Sequence, residues 1–289
     1  MDWAERRGRF RALMAGNRCV HPGSVYDAMS ARIAEDLGFE VGIFSGSIGS
    51  MAVLGAPDLI VLTLTEFAAQ ANRVCRAGNL CLLVDADDGY GNALNVRRTV
   101  EELETAGVCA MSIEDTVLPR PFGPSGKPTL ISIEEGVGKM KAAVDARDDA
   151  ALVIMARTGA VSISGLDDAI ARAVAYEGTG VDALFFTGVK ARRELEAIAA
   201  ATKLPIVLGG APEEMTDRDY LVNQRVRIAL QGHAPLAAAT LAVYETLKAL
   251  REGVSPKNLK GLASSELTGR VARDAETKIR GAEFLGLKK

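Results

Sequence analysis

A chain of 289 residues with 48% apolar and 25% charged residues can bury a sizeable core, as one large domain or two small ones. Its formal net charge of −3 provides no basic surface for nucleic acid. Residues 1–10 carry Asp2, Glu5, Arg6, Arg7 and Arg9 without an apolar run, which argues against a signal peptide or membrane span and leads us to expect a cytoplasmic protein.

Residues 2–15 read as an amphipathic helix that covers one end of the fold, with Trp3, Phe10, Leu13 and Met14 as packing positions. A short strand at 18–20 leads through His21-Pro22-Gly23-Ser24 into a helix over 26–37, where alanines, Ile33 and Leu37 favour helix and packing. The second strand, 41–44, ends in Ser45-Gly46-Ser47-Ile48-Gly49-Ser50, a small-residue turn whose amides can approach an anion closely. A helix over 65–76 follows Asp58.

The third strand, 80–84, runs into Asp85-Ala86-Asp87-Asp88-Gly89-Tyr90-Gly91-Asn92. Burying a carboxylate without a counter-charge costs several kcal/mol, so three aspartates at a strand end point to a divalent cation. The bland alternative is that one aspartate caps the helix starting near Ala93 and the others are solvated. An EF-hand is excluded, because counting from Asp85 the twelfth position is Val96 where calcium loops need a glutamate. If the strand continues, Asp85 and Asp87 point the same way, and a few oxygen ligands plus waters suit magnesium or manganese.

The fourth strand, 109–113, ends in Glu114-Asp115. Residues 117–132, with Pro119, Pro121, Pro124, Pro128, Gly123 and Gly126, form the longest irregular stretch and read as a lid. Strands at 152–156, ending in Arg157, and at 183–186, 206–208 and 226–230 alternate with helical patterns at 134–145, 166–176, 191–200 and 213–222. Eight such units predict an α/β TIM (β/α)8 barrel, a single domain over 1–289 with an N-terminal helix and a helical extension over 234–289. A doubly wound sheet is the runner-up, weakened by the absence of GxGxxG after the first strand. Cys19, Cys75, Cys81 and Cys109 lack CxxC spacing and read as core residues. The surplus helices at 235–251 and 265–284 suggest packing on a second copy, hence a homo-oligomer.

The strings PGSVYDAMSARIAEDLGF, SGS, Pro57-Asp58, VDADDGYGNALNV, IED and ARTGA, spread over nearly the full chain, resemble the isocitrate lyase and phosphoenolpyruvate mutase superfamily. The resemblance implies a TIM barrel, often with its last helix swapped between subunits of a tetramer, that binds magnesium and small α-keto acids or enolates. It implies Asp85 as a magnesium ligand, with Asp87 and Glu114 holding the ion largely through waters. Ser47, with the neighbouring Gly46, would bind the α-keto acid oxygens, Arg157 would pair with a substrate carboxylate, and Asp58 lies near the site.

Relatives that are carbon–carbon lyases carry a catalytic cysteine in the loop that here reads LPRPFGPSGKP, and mutases carry an asparagine there; residues 117–132 contain neither. The resemblance is therefore to the oxaloacetate decarboxylase branch, in which a histidine follows the last strand as His233 does. On the residues alone, the less favoured alternative for His233 is a helix-start residue without chemistry, and His21 reads as structural. The implied substrate is a small α-keto dicarboxylate, the implied metal magnesium with manganese as substitute, and the implied assembly a homotetramer or homodimer. Methylisocitrate- or dimethylmalate-type lysis and phosphonomutase chemistry remain alternatives within the fold, and a non-catalytic dicarboxylate- or cation-binding barrel is an alternative of another class. The chain departs from the usual ARTDA or ARTNA at Gly159, and from the usual polar or aromatic residue after the seventh strand at Gly209-Gly210.

Overall fold

The computed structural model describes residues 2–120, 122–123 and 127–287. Eight parallel strands, β1 (Gly23–Ser24), β2 (Val41–Phe44), β3 (Cys81–Asp85), β4 (Ala110–Glu114), β5 (Val153–Thr158), β6 (Ala183–Phe186), β7 (Ile206–Leu208) and β8 (Val226–Ala229), each pair with the next in chain order. Val20 returns the ladder to its start: its N–H donates to the Arg227 carbonyl at 2.9 Å and its carbonyl accepts from Ala229 at 3.1 Å. The architecture is the TIM-like α/β barrel that the alternation predicts.

The first strand differs from expectation. Only Val20 of the predicted 18–20 segment pairs, as an isolated bridge with Ile228, and the paired residues of β1 are Gly23 and Ser24, three positions further on. Pro22 has no N–H to give a ladder, which separates the two contacts. The predicted helix at 213–222 is a 3-10 turn, Glu213–Met215, followed by Arg218–Asn223, which Asp217 caps. Of the predicted lid, Pro121, Pro124 and Gly126 lie outside the described residues, while Thr116 and Leu130 pair as an antiparallel bridge at its root.

Alternation along the strands decides what fills the barrel. Val41 and Ile43, Cys81 and Leu83, Val153 and Met155, Phe185, Val207 and Ile228 form one buried cluster. Two residues beyond Leu83 and Met155 on the same face stand Asp85 and Arg157, so the period of two that builds the core also delivers the polar groups to its C-terminal end.

The opposite end is closed by the helix Trp3–Ala15, whose Phe10 and Met14 join the same cluster. Its arginines dock on the ends of other elements. Arg6 donates to the Cys75 carbonyl at 2.8 Å, Arg7 to the Val108 carbonyl and Asp149, both at 2.9 Å, and Arg11 to Asp182 at 2.9 Å. Arginine heads at helix C-terminal carbonyls complement the macrodipole as well as the hydrogen-bond deficit there. All four cysteines are free and buried, and burial pushes Cys19 up to about 11 and Cys75 up to about 12, which makes these two inert core thiols at neutral pH.

Two compact units divide the chain, Met1–Gly232 with the barrel and His233–Lys289 with the C-terminal helices. In the second unit, the helix Ala234–Arg251 has no buried residue and exposes Leu241, Val243, Tyr244 and Leu247. The predicted helix at 265–284 is two, Ser265–Ala272 and Asp274–Leu285, because Arg273 sits in the left-handed region at φ 61° and ends the first. Among the described residues no helix is long and apolar enough to cross a membrane.

The Arg7 side chain is only 6% exposed, so Arg7→Ala strands the Val108 carbonyl and the Asp149 carboxylate. The expected loss is roughly 3 kcal/mol of unfolding free energy. It should appear as a lower urea midpoint with KM unchanged, and an unshifted midpoint would show that the helix contributes little to closing the barrel.

Candidate active site

Strand register assembles the site. Asp85 pairs with Ser112 across β3 and β4, and Glu114 with Arg157 across β4 and β5. The Arg157 guanidinium donates to Asp85 Oδ2, and its second nitrogen lies 3.5 Å from Glu114 Oε2. Ser112 donates to Asp85 Oδ1 at 3.0 Å, and Thr116 to Glu114 Oε2 at 3.0 Å, so each carboxylate is aimed from two sides. Phe185 underlies the guanidinium at 5.4 Å from its ring centre. The paired carboxylates hold Arg157 above its ordinary value despite burial, so it stays charged.

Asp87 reaches the cluster differently from the expected strand alternation. The strand ends at Asp85, and Asp87 adopts φ 49°, with its carbonyl accepting from the Glu114 N–H at 2.8 Å. Its carboxylate lies against Gly46, where any Cβ would overlap its oxygens; glycine there is a requirement of close approach. Burial, then the charges of Asp85, Glu114 and Asp58, push Asp87 up to about 9. Glu114 is raised by burial and by Asp85, against the opposing Arg157, and the solvent-accessible Asp58 is raised by partial desolvation and by Asp85.

The third aspartate leaves the cluster. Asp88 is buried 3.8 Å from Lys139 of the helix Ile133–Ala146 and accepts from the Tyr90 N–H at 3.1 Å. The helix beginning at Ala93 is capped by Asn92, so none of the three aspartates serves as its cap. The segment read as a small-residue turn is a helical turn, Gly46–Gly49, capped by Ser45 and continuing into a π-helical stretch, Ser50–Leu54. Ser47 is half-buried, its hydroxyl 2.9 Å from that of Ser45. His233 occupies the N-cap position of the helix Ala234–Arg251, the first residue of the second unit.

Asp58, Asp85, Asp87 and Glu114 are thus electrostatically coupled around Arg157. Among the described residues no three His, Cys, Asp or Glu side chains are gathered as direct ligands of one metal ion. The donor set nevertheless suits a hard divalent cation: carboxylate oxygens in excess of positive charge, with Asp87 pushed toward its neutral form because that excess is unbalanced. Ser112, Thr116 and Phe185 join the site without belonging to any of the motifs that mark it in the sequence. Ser112 is accessible from the strand pattern, since it stands two residues before Glu114 on one strand face.

Carboxylates and an arginine at the C-terminal ends of barrel strands define an α/β barrel with an acidic centre fit for a cation and a small anion. The chain belongs to the phosphoenolpyruvate phosphomutase family, whose sequence profile matches residues 10–251, within the phosphoenolpyruvate mutase and isocitrate lyase superfamily. It is 67% identical, over 100% of both chains, to the oxaloacetate decarboxylase of Bradyrhizobium diazoefficiens. Oxaloacetate acetylhydrolase in complex with the inhibitor 3,3-difluorooxalacetate is similar in structure, with a TM-score of 0.85 and 26% identity over 99% of this chain and 98% of that one. Phosphonopyruvate hydrolase in complex with oxalate and magnesium superposes with a TM-score of 0.85 and 28% identity, over 97% and 99%.

An aspartate titrates near about 3.9 when unfolded, so Asp87 binds its proton more tightly in the fold. The stability this confers is complete below the unfolded value and is lost as pH rises toward about 9. In chelator-treated protein, Asp87→Asn should therefore melt higher than wild type at about pH 8, with the difference shrinking toward about pH 4. Parallel melting curves across that range would mean that Asp87 is not forced neutral.

Proposed function

We propose that the protein is a magnesium-dependent oxaloacetate decarboxylase: the bond to the distal carboxylate breaks to release carbon dioxide, and the enolate left behind takes a proton from water to give pyruvate. The observation that carries this reading is the Asp85–Arg157–Glu114 cluster at the strand ends, with Asp87 packed beside it. The full-length similarity to oxaloacetate decarboxylase supports the choice of reaction. So does the absence of cysteine and asparagine from 117–132, which removes the groups expected of a carbon–carbon lyase or a phosphonomutase.

Asp85 would hold the ion directly, with Asp87 and Glu114 reaching it through waters; manganese would suit the same oxygen donors. A magnesium ion held there would supply Lewis acidity to the keto group, which gains negative charge as the bond to the departing carboxylate breaks. Arg157 keeps its charge under burial and has a buried Nε without a hydrogen-bond partner, so it has capacity left for a substrate carboxylate. Ser47 and the Gly46 amide would bind the keto-acid oxygens, and stabilise them most as the enolate forms. Asp58 borders the substrate. His233 enters on the resemblance, as a group that orients the dicarboxylate.

Pyruvate formation from oxaloacetate should exceed that of free magnesium by orders of magnitude in wild type and fall to the free-ion rate in Asp85→Ala or after chelation. Arg157→Lys, which replaces a planar fork by a point charge, should raise KM at least about tenfold, equivalent to about 1.4 kcal/mol. His233→Ala belongs in the same panel and should also raise KM. Wild-type turnover no faster than the free ion would sink the decarboxylase reading, and would send the lyase, phosphonate and binding-only alternatives to the bench.

A homotetramer or homodimer is part of this reading. The exposed apolar side chains of Ala234–Arg251 support it, because an 18-residue helix carrying Leu241, Tyr244 and Leu247 in water leaves unburied area that a second copy can cover. Sedimentation should give a mass two or four times that of the chain, and Leu241→Asp with Leu247→Asp should reduce it. A monomeric wild type would refute the assembly.

A further inference from the structure

Asp115 follows Glu114, and alternation turns the two side chains to opposite faces of the strand end. Glu114 faces the barrel with Arg157; Asp115 faces the helix layer, where its side chain is fully buried. There Oδ2 accepts from Arg172 Nη1 at 3.0 Å and from the Tyr176 hydroxyl at 2.8 Å. Asp168, Arg172 and Tyr176 are spaced four apart on the helix Leu166–Glu177 and form one stripe, with Arg172 Nε donating to Asp168 at 2.8 Å.

The same aspartate is tied to the site through its backbone. Its N–H donates to the Arg157 carbonyl at 3.2 Å, and its carbonyl accepts from Ile131 at 2.9 Å. Arg172 closes that loop by donating to the Ile131 carbonyl at 3.0 Å. Thr116, back on the face of Glu114, hydrogen-bonds its carboxylate and bridges Leu130. One guanidinium, 7% exposed at its side chain, therefore fixes the peptide between Glu114 and Thr116, the return of the following loop, and the strand carrying Arg157.

We propose that Arg172 is a positioning residue, which acts through Asp115 to hold Glu114 and Arg157 in their working geometry. The inference rests on the functional reading of that pair and adds to it a control from outside the barrel. Planarity matters to the role: a guanidinium serves Asp115, Ile131 and Asp168 at once, whereas an ammonium on a flexible stem keeps the charge without the fork. A displacement of an ångström at a catalytic group is enough to cost up to about a hundredfold in rate.

Arg172→Lys should lower kcat about tenfold to a hundredfold while raising KM less than Arg157→Lys does, because the Arg157 guanidinium remains beside the substrate and only its alignment with Glu114 is lost. The deciding measurement is a double-mutant cycle with Glu114→Gln on kcat: the lysine substitution should cost far less when Glu114 is already gone. Additive losses, or a lower melting temperature with kcat unchanged, would reduce Arg172 to a fold anchor. Tyr176→Phe removes one hydroxyl and serves if Arg172→Lys does not fold; it should show a smaller kcat loss that also vanishes in the Glu114→Gln background. Should wild type fail to turn over oxaloacetate, the decarboxylase reading falls first. The cycle is then run on oxalate affinity in magnesium by calorimetry, where additivity again overturns the positioning role and coupling sustains it.

Discussion

The mouth of the barrel depends on keeping several carboxylates together out of water, and Arg157 is the charge that makes this tolerable. Removed from solvent, Asp85, Asp87 and Glu114 repel one another; burial and that repulsion push Asp87 up to about 9 and raise Glu114. The guanidinium lies between Asp85 and Glu114, is backed by Phe185, and is fixed by β5, so its position is a property of the strand register rather than of side-chain flexibility. It leaves an excess of carboxylate, which the proposed reading assigns to a cation. A fully balanced cluster would be a structural ion-pair network; an acidic excess around one arginine is an environment that a divalent ion completes.

Much of this was legible in the sequence, because the signals involved are local. The strands Val41–Phe44, Ala183–Phe186 and Ile206–Leu208 coincide with their apolar runs, and the acidic strand ends mark Asp85 and Glu114 directly. Where the reading failed, backbone conformation had overridden pattern. Extending the strand predicts Asp87 on the face of Asp85, yet it arrives through a left-handed turn, and Arg273 breaks in the same conformation the single helix that 265–284 predicts. The Gly46–Gly49 segment has turn composition, but Ser45 as a cap is enough to start a helical turn. The Asp115–Arg172 pair joins residues 57 positions apart, and no pattern within either segment announces it.

Buried ion pairs recur at both ends of the barrel with different consequences. At the closed end Arg6, Arg7 and Arg11 bind carbonyls and acids at element termini, and the helix they tether supplies Phe10 and Met14 to the core. At the open end Arg172 does for the strand termini what those arginines do for the helix, but its partner Asp115 shares a peptide with Glu114. The same chemistry is therefore anchoring in one place and positional in the other, and the difference lies in what the anchored backbone carries on its far face.

Two of the glycines that depart from the family pattern, Gly159 and Gly209, face Thr187, whereas Gly210 has open space and no packing reason. A Cβ on Gly159 would stand 3.2 Å from both the Ile163 side chain and the Thr187 hydroxyl, and one on Gly209 would stand 2.7 Å from the Thr187 methyl and 3.2 Å from Phe185. Thr187 therefore occupies the space between the ends of β5 and β7 that side chains at 159 and 209 would otherwise share. Because Phe185 in turn supports Arg157, enlarging Gly209 alone would press on the guanidinium's own platform. A Cβ at 209 therefore requires the Thr187 side chain to shift, and a smaller residue at 187 would make that room without moving Phe185.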